Sequence, residues 1–277
     1  MNAMETNKIE RNYFKQNFLK EIIIRLDFQG VLQAEMEEIL MKVKPYLKTK
    51  KFNRYEQKIK SKVYSESNNG WREENNPLGE QYGNNIAHLF TNEDNGYMIN
   101  LSATYICLKV KTNKYIPFEE YAVTFMDVAN IYNDSIDFFT VQRLGLRKNN
   151  FCFFTKKDVI NQYFKDKYFD YFENTNIFSS EKRATFGIEE YKMNLLYGIE
   201  QGKLKDNVVY KTILDLDIYL DDIKVIEKTI FEDRDMSQLN DKLFNVYVDA
   251  LTPQFRSMLS REDTIWAEEI IGVDKNE

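Results

Sequence analysis

Apolar and polar residues alternate along several stretches of this chain, as they do in half-buried β-strands. Phe18–Phe28 alternates from Ile22 onward, and Leu214–Leu220 alternates throughout. Successive side chains of a strand point to opposite faces, so each stretch has one apolar and one polar face. The predicted strands are Phe18–Phe28, Tyr55–Tyr64, Asn84–Phe90, Met98–Ala103, Tyr105–Lys111, Phe138–Leu146, Arg183–Glu190, Lys192–Glu200 and Val208–Leu220.

A repeat of three to four residues between apolar positions predicts helices elsewhere. Gln33–Lys44 has one apolar face, and Pro45 is expected to stop or kink that helix. Pro117 is expected at the first turn of a second helix. A long final helix is predicted to begin near Asp235 and to bend at Thr252-Pro253.

Turn-forming residues separate these elements. Ser67–Gly83 is rich in Asn, Gly and Pro and is predicted as a loop, and Asn95-Gly96 predicts a hairpin turn. The order of elements is similar in residues 1–135 and 136–277. The sequence therefore predicts an α+β fold in two similarly ordered halves, packed as one globular unit. Its sheet is largely antiparallel, with helices packed on one side.

Cellular location follows from what the sequence lacks. Its longest apolar runs are too short to span a bilayer, and the first twenty residues contain no apolar signal segment. We therefore expect a cytoplasmic protein that does not bind a membrane. Cys107 and Cys152 lie inside apolar runs and are expected to be buried free thiols.

Charge is distributed unevenly along the chain, whose formal net charge is −6. Lys42–Lys62 contains nine basic residues and one acidic residue, whereas Asp215–Glu277 contains 16 acidic and seven basic residues. Cations interleaved with aromatic residues suit a phosphate backbone with stacked bases. The predicted contacts to nucleic acid or to an acidic protein partner are Lys48, Lys50, Lys51, Arg54, Tyr55, Lys58, Lys60 and Lys62.

Two alternative roles fit the same basic stretch. It is either a solvated strand and loop, or a docking face for the acidic C-terminal region of a second copy, which would make the protein a homodimer.

An arginine pair flanks Gly145 in the middle of the chain. Arg143 and Arg147 lie four positions apart on a predicted strand and so share a face, and Asn150 follows them. These three residues form a candidate anion-binding site. The alternative is a structural role, in which the guanidinium groups bind buried carbonyls or the carboxylates of Asp215 and Asp217.

Asp215 and Asp217 share the polar face of their predicted strand. Two carboxylates so placed can hold Mg²⁺, which prefers oxygen ligands. The alternatives are a solvated polar face or ion pairs with Arg143 and Arg147. No other cofactor is expected, and no third metal ligand is identifiable.

Several classes of enzyme lack their required residues. The chain has one histidine, His88, and two cysteines 45 positions apart, which excludes a histidine–cysteine zinc cluster. It contains no GxSxG, P-loop or GxGxxG motif, so serine hydrolases and P-loop enzymes are poorly supported.

Three segments in this order resemble a sporadically distributed family of uncharacterised bacterial proteins. They are Glu21–Phe28, the central Arg143–Asn150, which is similar to an Arg-x-Gly-Leu-Arg-x-x-Asn signature, and Leu214–Asp217 with the helix that follows. Lys148 departs from the pattern, where an aromatic residue is expected. The resemblance covers nearly the whole chain and implies the α+β architecture without a particular activity.

These observations favour a non-catalytic interaction protein, an accessory or defence-type module whose basic surface binds an acidic partner or nucleic acid. The alternative is a metal-dependent enzyme that processes phosphates or nucleotides with the aspartate and arginine pairs.

Overall fold

Strands and helices alternate through the computed structural model, which describes residues 11–60, 63–67, 70–74, 85–111, 117–169, 178–204, 207–262 and 270–271. The strands are β1 Leu19–Gln29, β2 Arg54–Lys60, β3 Val63–Ser67, β4 Gly70–Glu74, β5 Asn85–Asn92, β6 Tyr97–Leu101, β7 Tyr105–Lys111, β8 Thr140–Phe154, β9 Ser179–Ile188, β10 Tyr191–Leu204, β11 Asn207–Leu220 and β12 Ile270–Ile271. The α-helices are α1 Met36–Thr49, α2 Phe118–Asn133, α3 Ile160–Tyr163, α4 Ile223–Glu227, α5 Ser237–Ala250 and α6 Pro253–Leu259.

One ten-stranded sheet has the strand order β2-β5-β6-β7-β1-β8-β11-β10-β9, with β12 paired to β8. Its hairpins are antiparallel: β5 pairs with β6, β6 with β7, and β9 with β10. This arrangement, with helices packed beside the sheet, confirms the α+β class. None of the helices in the described ranges is long and apolar enough to cross a membrane.

The chain divides into two compact units that do not coincide with the predicted halves. The first comprises Met1–Glu21, Arg147–Ile218 and Ser237–Glu277, and the second comprises Ile22–Leu146 and Tyr219–Met236. Strands β1, β8 and β11 contribute residues to both units, so a boundary between residues 135 and 136 follows neither of them.

In the second unit, helices α1 and α2 cover the apolar face of the sheet. Phe28 on β1 lies 5.3 Å from Tyr132 on α2, measured between ring centroids. The Tyr132 hydroxyl donates a hydrogen bond to the Ser102 carbonyl over 3.3 Å, so the polar end of this buried side chain is satisfied. The predicted apolar faces of both helices are confirmed, because their residues are buried: Met36, Ile39, Leu40, Val43, Tyr121, Phe125, Val128 and Tyr132.

An aromatic cluster forms the core of the first unit. Phe18, just before β1, stacks on Phe255 of α6 with centroids 5.5 Å apart. Phe164 contacts both rings edge-on. Thr252 caps α6 by accepting a hydrogen bond from the Phe255 amide. The predicted bend at Thr252-Pro253 is therefore a helix end and a new helix start.

Of the two effects expected of Pro45, a stop or a kink in the first helix, the stop does not occur. Helix α1 continues through it to Thr49. Proline removes one backbone hydrogen bond, to the carbonyl of residue 41. Met41 and Pro45 are both exposed, so water can satisfy that carbonyl.

Three boundaries of predicted strands and loops were also wrong. The predicted strand Phe138–Leu146 is part of β8, which runs on to Phe154. The predicted strand Tyr55–Tyr64 is divided between β2 and β3. The predicted loop Ser67–Gly83 contains β4, which pairs with β3 so that Ser67 lies opposite Gly70. The rest of that predicted loop, residues 68, 69 and 75–83, lies outside the described residues. Asn and Gly occur in hairpin turns as well as in longer loops, so a sequence pattern alone does not distinguish the two.

Gly30 is required where β1 ends. Its φ is +97°, and a Cβ atom here would lie 1.9 Å from the Phe138 carbonyl oxygen. No side chain fits without moving that backbone.

We expect Gly30→Ala to lower the free energy of unfolding by about 3 kcal/mol. The left-handed backbone accounts for about 1–2 kcal/mol, and the overlap with Phe138 adds about 1–3 kcal/mol. Urea denaturation measures this change. Gly202→Ala is the control, because a Cβ there meets nothing within 4 Å. Equal losses in the two variants would contradict this steric account.

Candidate functional site

An open basic cleft of about 600 Å³ lies between the end of α1 and the start of β2, within the second unit. Four cationic side chains and one carboxylate share it. Its lining residues are Lys44, Lys48, Lys51, Phe52, Asn53, Arg54, Tyr55, Phe90 and Asp94. The structure thus brings together four of the predicted contacts, Lys48, Lys51, Arg54 and Tyr55. We call this site the basic cleft.

The way in which α1 ends positions the cleft. The Lys51 amide donates to the Lys48 carbonyl over 3.1 Å, and the Phe52 amide donates to the Leu47 carbonyl over 3.0 Å. These two hydrogen bonds form a Schellman motif, whose reversal point needs a left-handed backbone. Lys51 occupies that point with φ of +64°. Glycine is the usual residue there, so Lys51 holds a strained conformation.

Cations of the basic cleft differ in how they are neutralised. Arg54 donates to Glu56 over 2.6 Å and to Glu93 over 3.4 Å. Within the described ranges, neither Lys48 nor Lys51 forms an ion pair. The negative end of the α1 dipole favours their positive charge. The cleft therefore carries a net positive charge that an anion can neutralise.

Tyr55 gives the basic cleft an ordered aromatic surface. Its ring contacts Lys44, whose Nζ lies 4.5 Å from the ring centroid, and Phe90, at 4.9 Å between centroids. The Tyr55 hydroxyl is 2.9 Å from His88 Nδ1. Burial, aided by Lys44, lowers the pKa of His88, so the imidazole is neutral near pH 7 and can accept this hydrogen bond. Tyr55 nevertheless stays 42% exposed.

The remaining predicted cations lie outside the basic cleft. Lys50 places its Nζ 5.5 Å from the Tyr46 ring centroid, and Lys58 lies 3.9 Å from Glu56. The side chain of Lys60 and the whole of Lys62 fall outside the described residues.

A second cleft, of about 550 Å³, adjoins the basic cleft and was not predicted. Lys51 and Phe52 line both clefts, and the second adds two carboxylates from the first turn of α2. Its lining residues are Thr49, Lys50, Lys51, Phe52, Asn95, Tyr97, Glu119, Glu120, Val123 and Thr124. These residues come from distant parts of the sequence, and only the paired glutamates before an apolar helix gave any local signal.

Arg147 is bound to Asp215 in the first unit. Its Nε donates to both carboxylate oxygens of Asp215, over 2.8 and 3.1 Å, and its Nη2 donates to one of them. The hydrogen bonds to Asp215 raise the pKa of Arg147 further, against the effect of burial. Neighbouring strands β8 and β11 bring the two side chains together, which confirms the predicted ion pair and leaves Arg147 engaged by a carboxylate.

The predicted Mg²⁺ site at Asp215 and Asp217 has little support in this geometry. Arg147 binds both oxygens of Asp215, and Asn194 donates to Asp217 over 3.3 Å. No group of three or more metal-ligating side chains occurs in the part of the chain that the structure describes.

Arg143 is engaged in the second unit. Its guanidinium carbon lies 4.5 Å from the Tyr219 ring centroid, and its Nη1 is 3.9 Å from Asp27 Oδ2. A Cβ on Gly145 would lie 3.1 Å from this guanidinium, so the glycine leaves room for the Arg143 side chain.

Asn150 does not join an anion site with Arg147, contrary to prediction. It is 2% exposed and donates its side-chain amide to the Leu214 carbonyl over 2.9 Å. Because β8 continues through Asn150, strict alternation places its side chain on the opposite face from Arg147.

No protein-family profile and no curated protein matches this sequence. Among solved structures, the di-domain aromatase/cyclase StfQ from the steffimycin biosynthetic pathway is 7% identical over 87% of this chain and 97% of its own, with a TM-score of 0.19. The Pct1 RNA triphosphatase of S. pombe, solved with the Spt5 CTD, is 8% identical over 85% of each chain, with a TM-score of 0.17. These scores are too low to support any argument about fold or function.

We expect Arg147→Ala to destabilise the first unit by about 2 kcal/mol, because it leaves the carboxylate of Asp215 without its partner. The Asp215 side chain is 10% exposed and that of Arg147 is 45% exposed, so the loss falls short of that for a fully buried pair. Arg147→Lys should lose less, since lysine keeps the charge but not the two-pronged geometry.

Chemical denaturation at pH 7 measures these losses. Arg183→Ala is the control, because Arg183 pairs with Glu181 at side-chain exposures of 71% and 44% and should lose less than about 1 kcal/mol. A loss for Arg147→Ala no larger than that of the control contradicts the buried-pair account.

Proposed function

We propose that this chain is a non-catalytic cytoplasmic interaction protein that binds single-stranded nucleic acid through the basic cleft. The observation that carries the proposal is the convergence of Lys48, Lys51 and Arg54 beside the exposed ring of Tyr55. Backbone phosphates need cations, and unpaired bases need an aromatic surface on which to stack. The cleft offers both within one volume.

The strained backbone of Lys51 supports a role beyond folding. The negative end of the helix dipole favours cations in the last turn, so the presence of Lys48 needs no ligand to explain it. The dipole does not explain why residue 51 is a lysine, since glycine would end the helix with less strain. Strained residues concentrate at binding and catalytic sites, where the surrounding structure maintains them. Lys51 therefore supports selection for a positive charge at the mouth of the cleft.

The rigidity of Tyr55 supports stacking of a base. Lys44, His88 and Phe90 all contact this side chain, so its ring is held in place before any ligand arrives. A ring ordered in advance loses little conformational entropy on binding. The double-stranded form of a nucleic acid hides its base faces, which is why the proposal names single strands.

Binding of a fluorescein-labelled oligo(dT) 12-mer, followed by fluorescence anisotropy, should weaken steeply with salt. Contacts from Lys48, Lys51 and Arg54 to three phosphates predict a slope of log K against log[salt] of about −2. Reversing two charges, in Lys48→Glu with Arg54→Glu, should abolish binding at 0.15 M salt. Lys224→Glu with Lys228→Glu makes the same change in net charge, at the second residue of α4 and at the residue after its end. This variant should bind nearly as the wild type does.

Two results contradict nucleic acid as the ligand. One is salt-independent binding, or equal losses in both charge-reversed proteins. The other is tight binding of polyglutamate without binding of oligo(dT), which would identify an acidic protein partner instead.

Lys51→Gly should separate stability from binding. Glycine relieves the left-handed strain, so we expect the free energy of unfolding to rise by about 1 kcal/mol, while affinity for oligo(dT) falls several-fold. Glu189→Gly is the matched control: Glu189 also has a positive φ, of +55°, and lies in the turn between β9 and β10. The control should gain stability and keep its affinity. If Lys51→Gly binds oligo(dT) as tightly as the wild type does, Lys51 does not contribute to binding.

A further inference from the structure

Strand β9 is a long and exposed edge of the ten-stranded sheet. It pairs with β10 from Ser179 to Ile188 without a bulge, and no other strand in the described ranges pairs with its outer edge. Eight of its ten residues are exposed and none is buried. Natural edge strands are usually short, bulged, covered or rich in lysine, because an open edge pairs with other chains. A long and regular edge with one lysine is therefore suited to receive another strand.

Two phenylalanine side chains at β9 are exposed on the face of the sheet that is buried on β10. Phe186 is 38% exposed, and Phe178, just before β9, is 74% exposed. Met193 of β10 lies opposite Phe186 and is fully buried. Alternation along the strands puts these three side chains on one face. The apolar face of the first unit thus continues past its last strand, where an added strand would cover it.

The hydrogen bonds to β10 determine which backbone groups of β9 point outward. The Phe178 carbonyl accepts from the Gln201 amide over 2.9 Å, so the backbone of residue 178 points toward β10. Backbone groups alternate between the two edges of a strand. Even-numbered residues of β9 therefore point toward β10, and odd-numbered residues point toward the outer edge. A second β9 that pairs antiparallel must place odd-numbered residues opposite odd-numbered residues, which permits only a few registers.

We propose that β9 pairs antiparallel with β9 of a second copy of this chain, about a two-fold axis that passes through Lys182. This register places Glu181 of each copy opposite Arg183 of the other. It also places Phe178 opposite Phe186. Opposite charges and aromatic rings directly across two strands stabilise their pairing, and the symmetry forms each of these pairs twice. Lys182 lies opposite itself, and its flexible side chain can turn its charge into water.

The neighbouring registers are less favourable. An axis at Arg183 places that arginine opposite itself, and an axis at Glu181 does the same for two carboxylates. Like charges directly opposite each other destabilise a strand pair. An axis at Ala184 leaves Glu181 opposite Gly187 and Arg183 opposite Thr185, so neither charge gains a partner. The sequence of β9 is therefore self-complementary in one register, which favours a second copy over an unrelated protein.

Disulfide trapping identifies the register directly. Lys182→Cys should form a disulfide-linked dimer with oxidised glutathione at about 0.1 mM protein, a concentration at which weak interfaces form. Its two cysteines would face each other at the axis in a non-hydrogen-bonded pair, with Cα atoms about 4.5 Å apart. Ala184→Cys is the control on the same face, and it should cross-link about tenfold more slowly because it would face Ser180 instead. The natural cysteines are buried.

Non-reducing gel electrophoresis follows both reactions. No cross-linked dimer in Lys182→Cys, or a rate in Ala184→Cys as high as in Lys182→Cys, overturns the proposed pairing.

A reciprocal exchange of charges tests the ion pairs by sedimentation equilibrium. Glu181→Arg alone should weaken the dimer about tenfold, because two favourable pairs become repulsive at once. Adding Arg183→Glu to this variant should return the affinity to near that of the wild type, which damage to the fold of β9 would not do. Lys48→Glu with Arg54→Glu, which alters the basic cleft, should leave the dimer intact.

Three results of the sedimentation experiment contradict the β9 dimer. They are a wild type that stays monomeric at 0.1 mM or above, a double exchange as weak as the single one, and an unchanged dimer in Glu181→Arg. Loss of the dimer in Lys48→Glu with Arg54→Glu would place the interface at the basic stretch instead and also contradicts the proposal. None of these outcomes bears on the binding of oligo(dT), so the β9 dimer can fail without the proposed function.

Discussion

The hydrogen bond from the Phe52 amide to the Leu47 carbonyl is the contact on which the candidate site depends. It closes the Schellman motif at the end of α1 and sends the chain back along the sheet. Phe52 is thereby buried, and Arg54 and Tyr55 enter β2 opposite Thr91 and Phe90. Without this reversal, the lysines of α1 and the residues of β2 would not share a cleft. The Schellman motif therefore places basic residues that are close in sequence around one cleft.

The arginines that stabilise the sheet differ from the lysines of the basic cleft in whether a carboxylate neutralises them. Arg147 binds Asp215 through several hydrogen bonds, and Arg143 lies between Asp27 and the Tyr219 ring. These arginines stabilise the sheet that carries them. Lys48 and Lys51, in contrast, have no ion pair within the described ranges. These two lysines are available to a ligand directly, whereas Arg54 has to exchange its contacts with Glu56 and Glu93 for those of a ligand.

Local sequence patterns predicted the elements well, because alternation and helical periodicity are short-range signals. The strand at Phe18–Phe28, the hairpin at Asn95-Gly96 and the apolar faces of α1 and α2 followed from them. The charge run also pointed to Lys48, Lys51, Arg54 and Tyr55. The stop expected at Pro45 and the expected length of β8 were wrong. Tertiary packing overrides a breaker or turn residue when the backbone groups it frees can reach water or a partner.

Other features depend on contacts that the sequence does not display. The orientation of Asn150 follows from the continuation of β8. Lys51 adopts a positive φ at a position where glycine is the usual residue. Tyr97 and Glu119 lie on different elements, and both line the second cleft only because of the fold. The homodimer expected from the basic and acidic stretches and the resemblance to the bacterial family stay predictions, because neither follows from contacts within one chain.

The most direct test of the basic cleft is a backbone-amide NMR titration with inorganic pyrophosphate, which carries the charge of a nucleotide tail and no base. The account predicts that the largest shifts occur at residues 48 to 54, including the amides of Lys51 and Phe52. Residues around Lys165 and Lys167, which Asp249 already neutralises, should not shift. Shifts centred there, or no saturable shift at the end of α1, would contradict the account.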